Sequence, residues 1–225
     1  MDFDTRQQLF YELRIFELGA SPERAKITMK ADISHEFRNG VPFLGGSLWI
    51  DFVNTRFVLN GESVDFLRDE ASLAGWANEA EIAFDERKMK DERAVSLRLR
   101  DSLAAAFEQL SQKAPLSADA LDMVNALLGK LTFHMQLHPV AGSMVLEEQA
   151  SAEGSKVAVA IAADFARFVV NYEAPRLKHC DNPACAMVFY DRGKNMRRRW
   201  CSTSICGNRD KVANYRARQS KAGSA

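Results

Sequence analysis

The sequence lacks an apolar run long enough for a membrane. Its longest strongly apolar stretch, Val157 to Val170, is broken by Asp164 and Arg167 and falls short of the roughly 20 residues a bilayer-spanning helix needs. The start, Met1-Asp2-Phe3-Asp4-Thr5-Arg6, is acidic where a secretory signal carries lysines, and no apolar core follows it. A cytoplasmic protein with no membrane partner is expected. There is no internal repeat, no low-complexity segment, no Gly-rich phosphate loop, no nucleophile elbow and no carboxylate pair at a recognisable spacing, so no enzyme motif is present and the chain is read as a non-enzyme. No cysteine precedes Cys180. What remains is a 225-residue chain, 47% hydrophobic and 27% charged, which is enough to bury a sizeable core in one or two domains.

Net charge is absent too, but only as an average. Lys plus Arg and Asp plus Glu both total 30. From Arg176 to the end, 12 basic residues stand against 3 acidic ones, a net of +9, which leaves residues 1–175 at −9. The chain is dipolar along its length.

Hydrophobic spacing divides the N-terminal part mainly into helices. Leu9, Phe10, Leu13 and Phe16 share one helical face over residues 5–18, with Thr5-x-x-Gln8 as a capping box, and Ser21-Pro22 can start a second short helix. Val41 to Val53 reads as two short strands about a Gly45-Gly46 turn, with Trp49 facing a core. From Asp65 to Gly129 the period is helical, most clearly in Val95, Leu99, Leu103, Ala106, Phe107 and Leu110, and Ser117 and Gly129 bracket a further helix. The period then becomes two: Leu131, Phe133, Met135 and Leu137 alternate with Thr132, His134, Gln136 and His138, which predicts a half-buried strand that turns at Pro139–Gly142 into a second over 143–149. A helix over Ser155–Val170 and a domain boundary at Pro175 complete this part.

The four cysteines, Cys180-x4-Cys185 and Cys201-x4-Cys206, lie within 27 residues. In a reducing compartment metal ligation outweighs disulfides. Two such pairs brought together by a hairpin make a tetrahedral sulfur cage, and a segment as small as 176–221 needs a staple of that kind. Four thiolates fill every coordination position, so one structural Zn²⁺ per chain is expected. His179 is an alternative to one of the sulfurs. His134 and His138, on one face of a strand, would stand about 13 Å apart and are read as surface residues.

Two polar groups of residues remain. Asp51, Asn54, Thr55 and Arg56 sit at the exit of the expected hairpin, where polar side chains either cap backbone or line a ligand pocket. Arg192, Lys194, Arg197, Arg198 and Arg199 lie between the cysteine pairs, and Arg209, Lys211, Arg216, Arg218 and Lys221 follow them. The run is either a solvated face or a footprint for a polyanion, and its place around a metal knuckle favours the second. On a helix from Asn208, Val212 and Tyr215 share one side and are expected to pack against the knuckle, with Ala213 and Ala217 opposite.

Cys206-Gly207-Asn208-Arg209, preceded by Arg199-Trp200-Cys201-Ser202 and followed by Lys211 and Arg216-x-Arg218, resembles the CGNR zinc finger of bacterial predicted transcription regulators. Residues 43–172 resemble the mostly helical domain that precedes that finger, through Gly45-Gly46 and Leu48-Trp49-Ile50-Asp51-Phe52-Val53-Asn54-Thr55. The resemblance implies a stress-linked regulator whose finger holds zinc through Cys180, Cys185, Cys201 and Cys206 and binds double-stranded DNA. The fold class expected is mostly α with small β-hairpins (α+β): a helical N-terminal domain, then a small treble-cleft-like or ribbon-like four-cysteine finger ending in a helix. The expected divisions are an N-terminal helical extension, 1–42, an effector-sensing domain, 43–172, and the finger, 176–221. Nucleic-acid contacts are expected from Arg197, Arg198, Arg199, Asn208, Arg209, Lys211, Arg216 and Arg218, and a small-molecule effector from Asp51, Asn54, Thr55 and Arg56. A second copy of the chain is a further candidate partner. The alternative is a small-molecule-binding or enzymatic domain whose finger serves protein or RNA contacts.

Overall fold

The computed structural model describes residues 36–38, 40–59, 62–140 and 142–222; the helices expected over 5–18 and after Ser21 lie outside them. A long helix, α3 (Met89–Ser111), forms the spine. Its inward stripe is the expected one, with Leu99, Leu103, Ala106, Phe107 and Leu110 all buried. Around it pack α1 (Leu48–Val53), α2 (Glu70–Glu79), α4 (Ala118–Leu128) and α5 (Lys156–Val169). Among the described residues there are also four antiparallel hairpins: β1 (Phe37–Arg38) with β2 (Val41–Pro42), β3 (Arg56–Leu59) with β4 (Glu62–Asp65), β5 (Leu131–Val140) with β6 (Ser143–Ala152), and β7 (Leu177–His179) with β8 (Val188–Tyr190). A last helix, α6 (Asn208–Ala222), follows a single π-type turn.

Local chemistry accounts for most helix starts. Asp69 and Ser72 form a reciprocal capping box on α2, and Ser117 and Ser155 accept backbone N–H bonds at the starts of α4 and α5. The start of α5 has a second anchor. The buried carboxylate of Glu92, on α3, accepts from Ser155 Oγ and from the backbone N–H of Lys156 at 2.7 Å and Val157 at 3.2 Å. An anion is thereby held against the positive end of a helix dipole, tying the two central helices together.

The expected pair of strands over Val41–Val53 is not what forms. Beyond β2 the chain loops through Gly45-Gly46 and enters α1, which places Trp49, Ile50 and Phe52 at zero exposure. The cap of α1 comes from a distance: Asp164, on α5, accepts from Ser47 Oγ at 2.8 Å and Trp49 N at 3.0 Å. Trp49 then packs edge-on against Phe165 and Phe168, with ring centroids 5.1 and 5.2 Å apart. A tertiary cap and an aromatic cage outweigh the local turn signal. The glycines keep a use: Gly46 has φ +79, and a Cβ there would lie 2.9 Å from the carbonyl oxygen of Tyr190.

The expected half-buried strand over 131–138 forms as β5, running on to Val140, and the expected second strand over 143–149 forms as β6, running on to Ala152, but the burial is wrong. Phe133, Met135 and Leu137 are 52, 67 and 64% exposed. The hairpin joins the helices at its base, where Ala150 is buried, and stands out from them toward its tip.

Candidate metal centre and nucleic-acid interface

Cys180 leaves the end of β7 and Cys185 lies in the turn before β8, held by Cys180 N to Met187 O at 2.9 Å and Cys185 N to Asn182 O at 2.9 Å. Cys201 precedes the π-type turn Thr203–Gly207 and Cys206 lies within it, where Ser202 Oγ accepts from Ile205 N. The second pair therefore sits at the root of α6, the treble-cleft-like arrangement. Gly207 is packed under Trp200: an added Cβ would meet the indole at 3.3 Å.

The four Sγ atoms all lie within 4.8 Å of one another. None is in a disulfide. Cys185 stands 3.8 Å from Cys201, and Cys201 3.7 Å from Cys206, close to the ~3.8 Å that a tetrahedron of 2.3 Å Zn–S bonds requires. The backbone N–H of Cys201 points at Cys180 Sγ, 3.4 Å away. The electrostatics also ask for a cation. Hydrogen bonds led by that from Cys201 pull the Cys185 thiol down, while burial and then the neighbouring sulfurs push Cys206 up. The donated hydrogen bond to Cys185 and burial raise Cys201 as well. Crowded thiolates repel one another, and a divalent cation at the centre offsets that repulsion. His179 stands apart: its ring meets Phe107 edge-on and its Nε2 lies 3.3 Å from Glu108.

The finger is joined to the helical core through side-chain bonds. Asn54 makes a two-point bridge, its Nδ2 donating to Val188 O at 2.8 Å and its Oδ1 accepting from Val188 N at 3.0 Å. Tyr190 N donates to Gly45 O, Arg192 Nε to Gly46 O, and Ser202 and Ser204 hydroxyls to Glu36. Leu177 and Val188 belong to the same buried cluster as Trp49 and Phe107.

The ligand-candidate group of residues comes apart in this setting. Asp51 is inside α1, buried, and accepts from Gly45 N at 2.6 Å. Asn54 is the bridge just described. Thr55 Oγ1 donates to Phe52 O and accepts from the buried Arg100. These three brace backbone and the finger; Arg56 alone is open, paired with Asp101 at 2.6 Å. It borders a cleft of about 280 Å³ between α3 and the β7–β8 hairpin, shared with Asn54, Arg100, Glu108, His179 and Val188.

Asp51 carries a pH dependence. Burial, with the Asp164 carboxylate adding to it and the Gly45 N–H opposing, raises it from 3.8 to about 7. The folded chain therefore holds a proton that the unfolded chain releases between these values, so stability falls as pH rises through that window. Asp51→Asn keeps an acceptor for Gly45 N and removes the charge. It is expected to raise the melting temperature at pH 8, by the equivalent of a few kcal/mol at most, and to give no gain at pH 4; thermal melts at the two pH values check it.

The basic residues also separate. Arg198 is turned inward: its guanidinium donates to Leu44 O at 2.9 Å, to Trp200 O at 3.0 Å and to Cys201 O, and lies 4.4 Å over the Phe189 ring. It braces the cage while remaining half-buried. Asn208 is spent on Ser204 O. Arg199 pairs with Asp181 at 2.7 Å and lies over Trp200 while staying exposed. Lys194, Arg197, Arg209, Lys211, Arg216 and Arg218 are exposed, and their side chains make no hydrogen bond or ion pair among the described residues. Val212 and Tyr215 do not pack on the knuckle as expected; they are 48 and 63% exposed, because α6 leaves the finger after its first turn. Sequence reasoning missed Lys178 and Asp191. Lys178 Nζ donates to Asp191 at 2.8 Å, to Met196 O and to Arg198 O. Burial pushes Asp191 up, yet Lys178 and the N–H groups of Gly193 and Arg198 outweigh it and hold the carboxyl below the usual range. The pair shapes the arginine loop, and only its proximity in space identifies it.

Comparison with known families decides the lineage. The family model ABATE, described as "Putative stress-induced transcription regulator", matches residues 46–172, and the CGNR zinc finger matches residues 176–219. This chain belongs to the ABATE family. As in the expected order, the ABATE region comes first and the CGNR finger follows it, holding one structural zinc in its four-cysteine cage. No curated protein matches the chain at significance. Among the described residues, no helix of this ABATE chain is long and apolar enough to cross a membrane.

Proposed function

We propose that this protein is a cytoplasmic, non-enzymatic transcription regulator that binds double-stranded DNA through its zinc finger and α6. One observation carries the reading: the cage anchors the root of a helix whose solvent side bears Arg209, Lys211, Arg216 and Arg218. Counting four thiolates and Zn²⁺, the segment from Arg176 keeps about seven positive charges against an acidic remainder. Arg197, Arg199 and Lys194 supply phosphate contacts beside the helix, while α6 supplies contacts to base edges or to the phosphates that fix register. The exposed Val212 and Tyr215 give α6 an apolar strip for thymine methyl groups. Asn208 and Arg198 serve as braces.

A small anionic effector fits the cleft beside Arg56. That cleft lies between the helical domain and the finger hairpin, so a ligand there changes DNA affinity by favouring one seating of β7–β8 over another. Of the residues considered for it, Asp51, Asn54 and Thr55 support the walls and Arg56 makes the contact.

The test is a salt titration of the full-length zinc-loaded protein on duplex DNA and on single-stranded RNA. Duplex affinity is expected to fall linearly in log–log form, by roughly 0.9 per phosphate contact. Absent duplex binding, with RNA held tightly, transfers the reading to a finger that serves RNA.

A further inference from the structure

We infer that the β5–β6 arm is a dimerisation surface that receives the same arm of a second copy of this chain. The register pairs Leu137 with Leu146, Met135 with Glu148 and Pro139 with Met144, and alternation brings Met135, Leu137, Met144 and Leu146 onto one face. These four are 67, 64, 61 and 60% exposed. They form an apolar patch, the kind that marks an interaction site, whereas the opposite face is mainly polar, with Thr132, His134, Gln136, His138, Glu147 and Gln149 beside the exposed Val140 and Val145. A two-stranded hairpin is marginal in water without a covering layer. Each strand here has ten residues.

The patch suits a copy of itself. A two-fold axis lays the same surface on both subunits, so one apolar face satisfies the other and the assembly closes. Four large side chains left about three-fifths open offer on the order of 450 Å² per copy, hence roughly 900 Å² before the polar rim is counted, a size that suits a weak, reversible association. A nucleic acid does not fit a face whose one charge is Glu148. Two fingers held by one axis read an inverted repeat, which the monomer cannot.

The experiment is sedimentation of the full-length protein from about 1 to 100 μM, with hydrogen exchange of residues 131–152 followed over the same range. A dimer is expected in the tens of micromolar, with exchange of the arm slowing as concentration rises. The double substitution Leu137→Thr, Leu146→Thr keeps a cross-strand pair with high strand propensity while removing the apolar centre. It is expected to weaken association at least 100-fold, with helicity and zinc content unchanged. A wild-type chain that stays monomeric at 100 μM overturns the inference. So does arm protection independent of concentration, which makes residues 1–35 or another part of the same chain the cover. A dimer that survives the double substitution overturns it as well.

Discussion

Removal of the metal, by chelation or by Cys201→Ser, is expected to unfold residues 176–219 and to lower the melting temperature of what remains. Cys201 is the sulfur to choose because it touches two others, at 3.8 and 3.7 Å, and its own N–H bonds the fourth. Ligation of a structural zinc contributes on the order of 10 kcal/mol, far above what the small apolar cluster of Leu44, Met187 and Phe189 supplies by burial. From the sequence, the part before the finger is expected to stay folded unaided. The structure adds a cost: Asn54 loses both partners on Val188, and Leu177 and Val188 leave the main core. Loss of about 2–4 kcal/mol from those interactions predicts a melt roughly 5–15 °C lower, with α3 and α5 still helical. Elemental analysis, far-UV circular dichroism and calorimetry before and after chelation check it. Fewer than one zinc per chain on protein purified without chelator, or an unchanged melt, contradicts it.

The second large effect belongs to α6. Replacing Arg209, Lys211, Arg216 and Arg218 together by Ala is expected to cost duplex affinity about 10²–10³-fold near 0.1 M salt and to reduce the log–log salt slope by roughly 0.9 for each phosphate that the helix no longer neutralises. Arg209→Ala alone is expected to relax sequence preference if its fork reaches a base, by roughly 1–3 kcal/mol of discrimination. Arg198→Ala serves as the contrast. Its guanidinium already satisfies Leu44, Trp200 and Cys201 carbonyls, so its loss is expected to lower the melting temperature and zinc retention and to leave the salt slope of the folded fraction alone. Fluorescence anisotropy over a salt series, beside a melt of each variant, separates the two outcomes.

Much of the helical core was legible because its signals are local. The three-and-four spacing from Val95 to Leu110 needs no partner to be recognised, and neither does the cap at Ser117. The cysteine cage was legible for the same reason, since spacing alone limits what four thiols can do. Where the reading failed, the deciding contact lay far off in sequence. Gly45-Gly46 carries a turn signal, but the Asp164 cap is more than a hundred residues away and converts the following strand into α1. Asn54 reads as a capping residue until Val188 is brought beside it. The β3–β4 hairpin carries a local signal of its own: Asn60-Gly61 stands between Leu59 and Glu62, the strongest short-range mark of a tight hairpin. Alternation in β5 gave the strand correctly and its burial wrongly, because period two shows which residues share a face and not whether anything covers it. Basic residues were the least legible. Arg197 and Arg198 are neighbours of identical type, yet one lies open and the other holds three carbonyls.

The most direct test of the regulator reading is selection of bound sequences from a random duplex pool by the full-length zinc-loaded protein, run beside the same protein after chelation. The account predicts enrichment of one short motif by the zinc-loaded chain and none by the chelated one, because the cage sets where α6 begins. Retention of duplexes without any enriched motif, or the same enrichment without zinc, contradicts it.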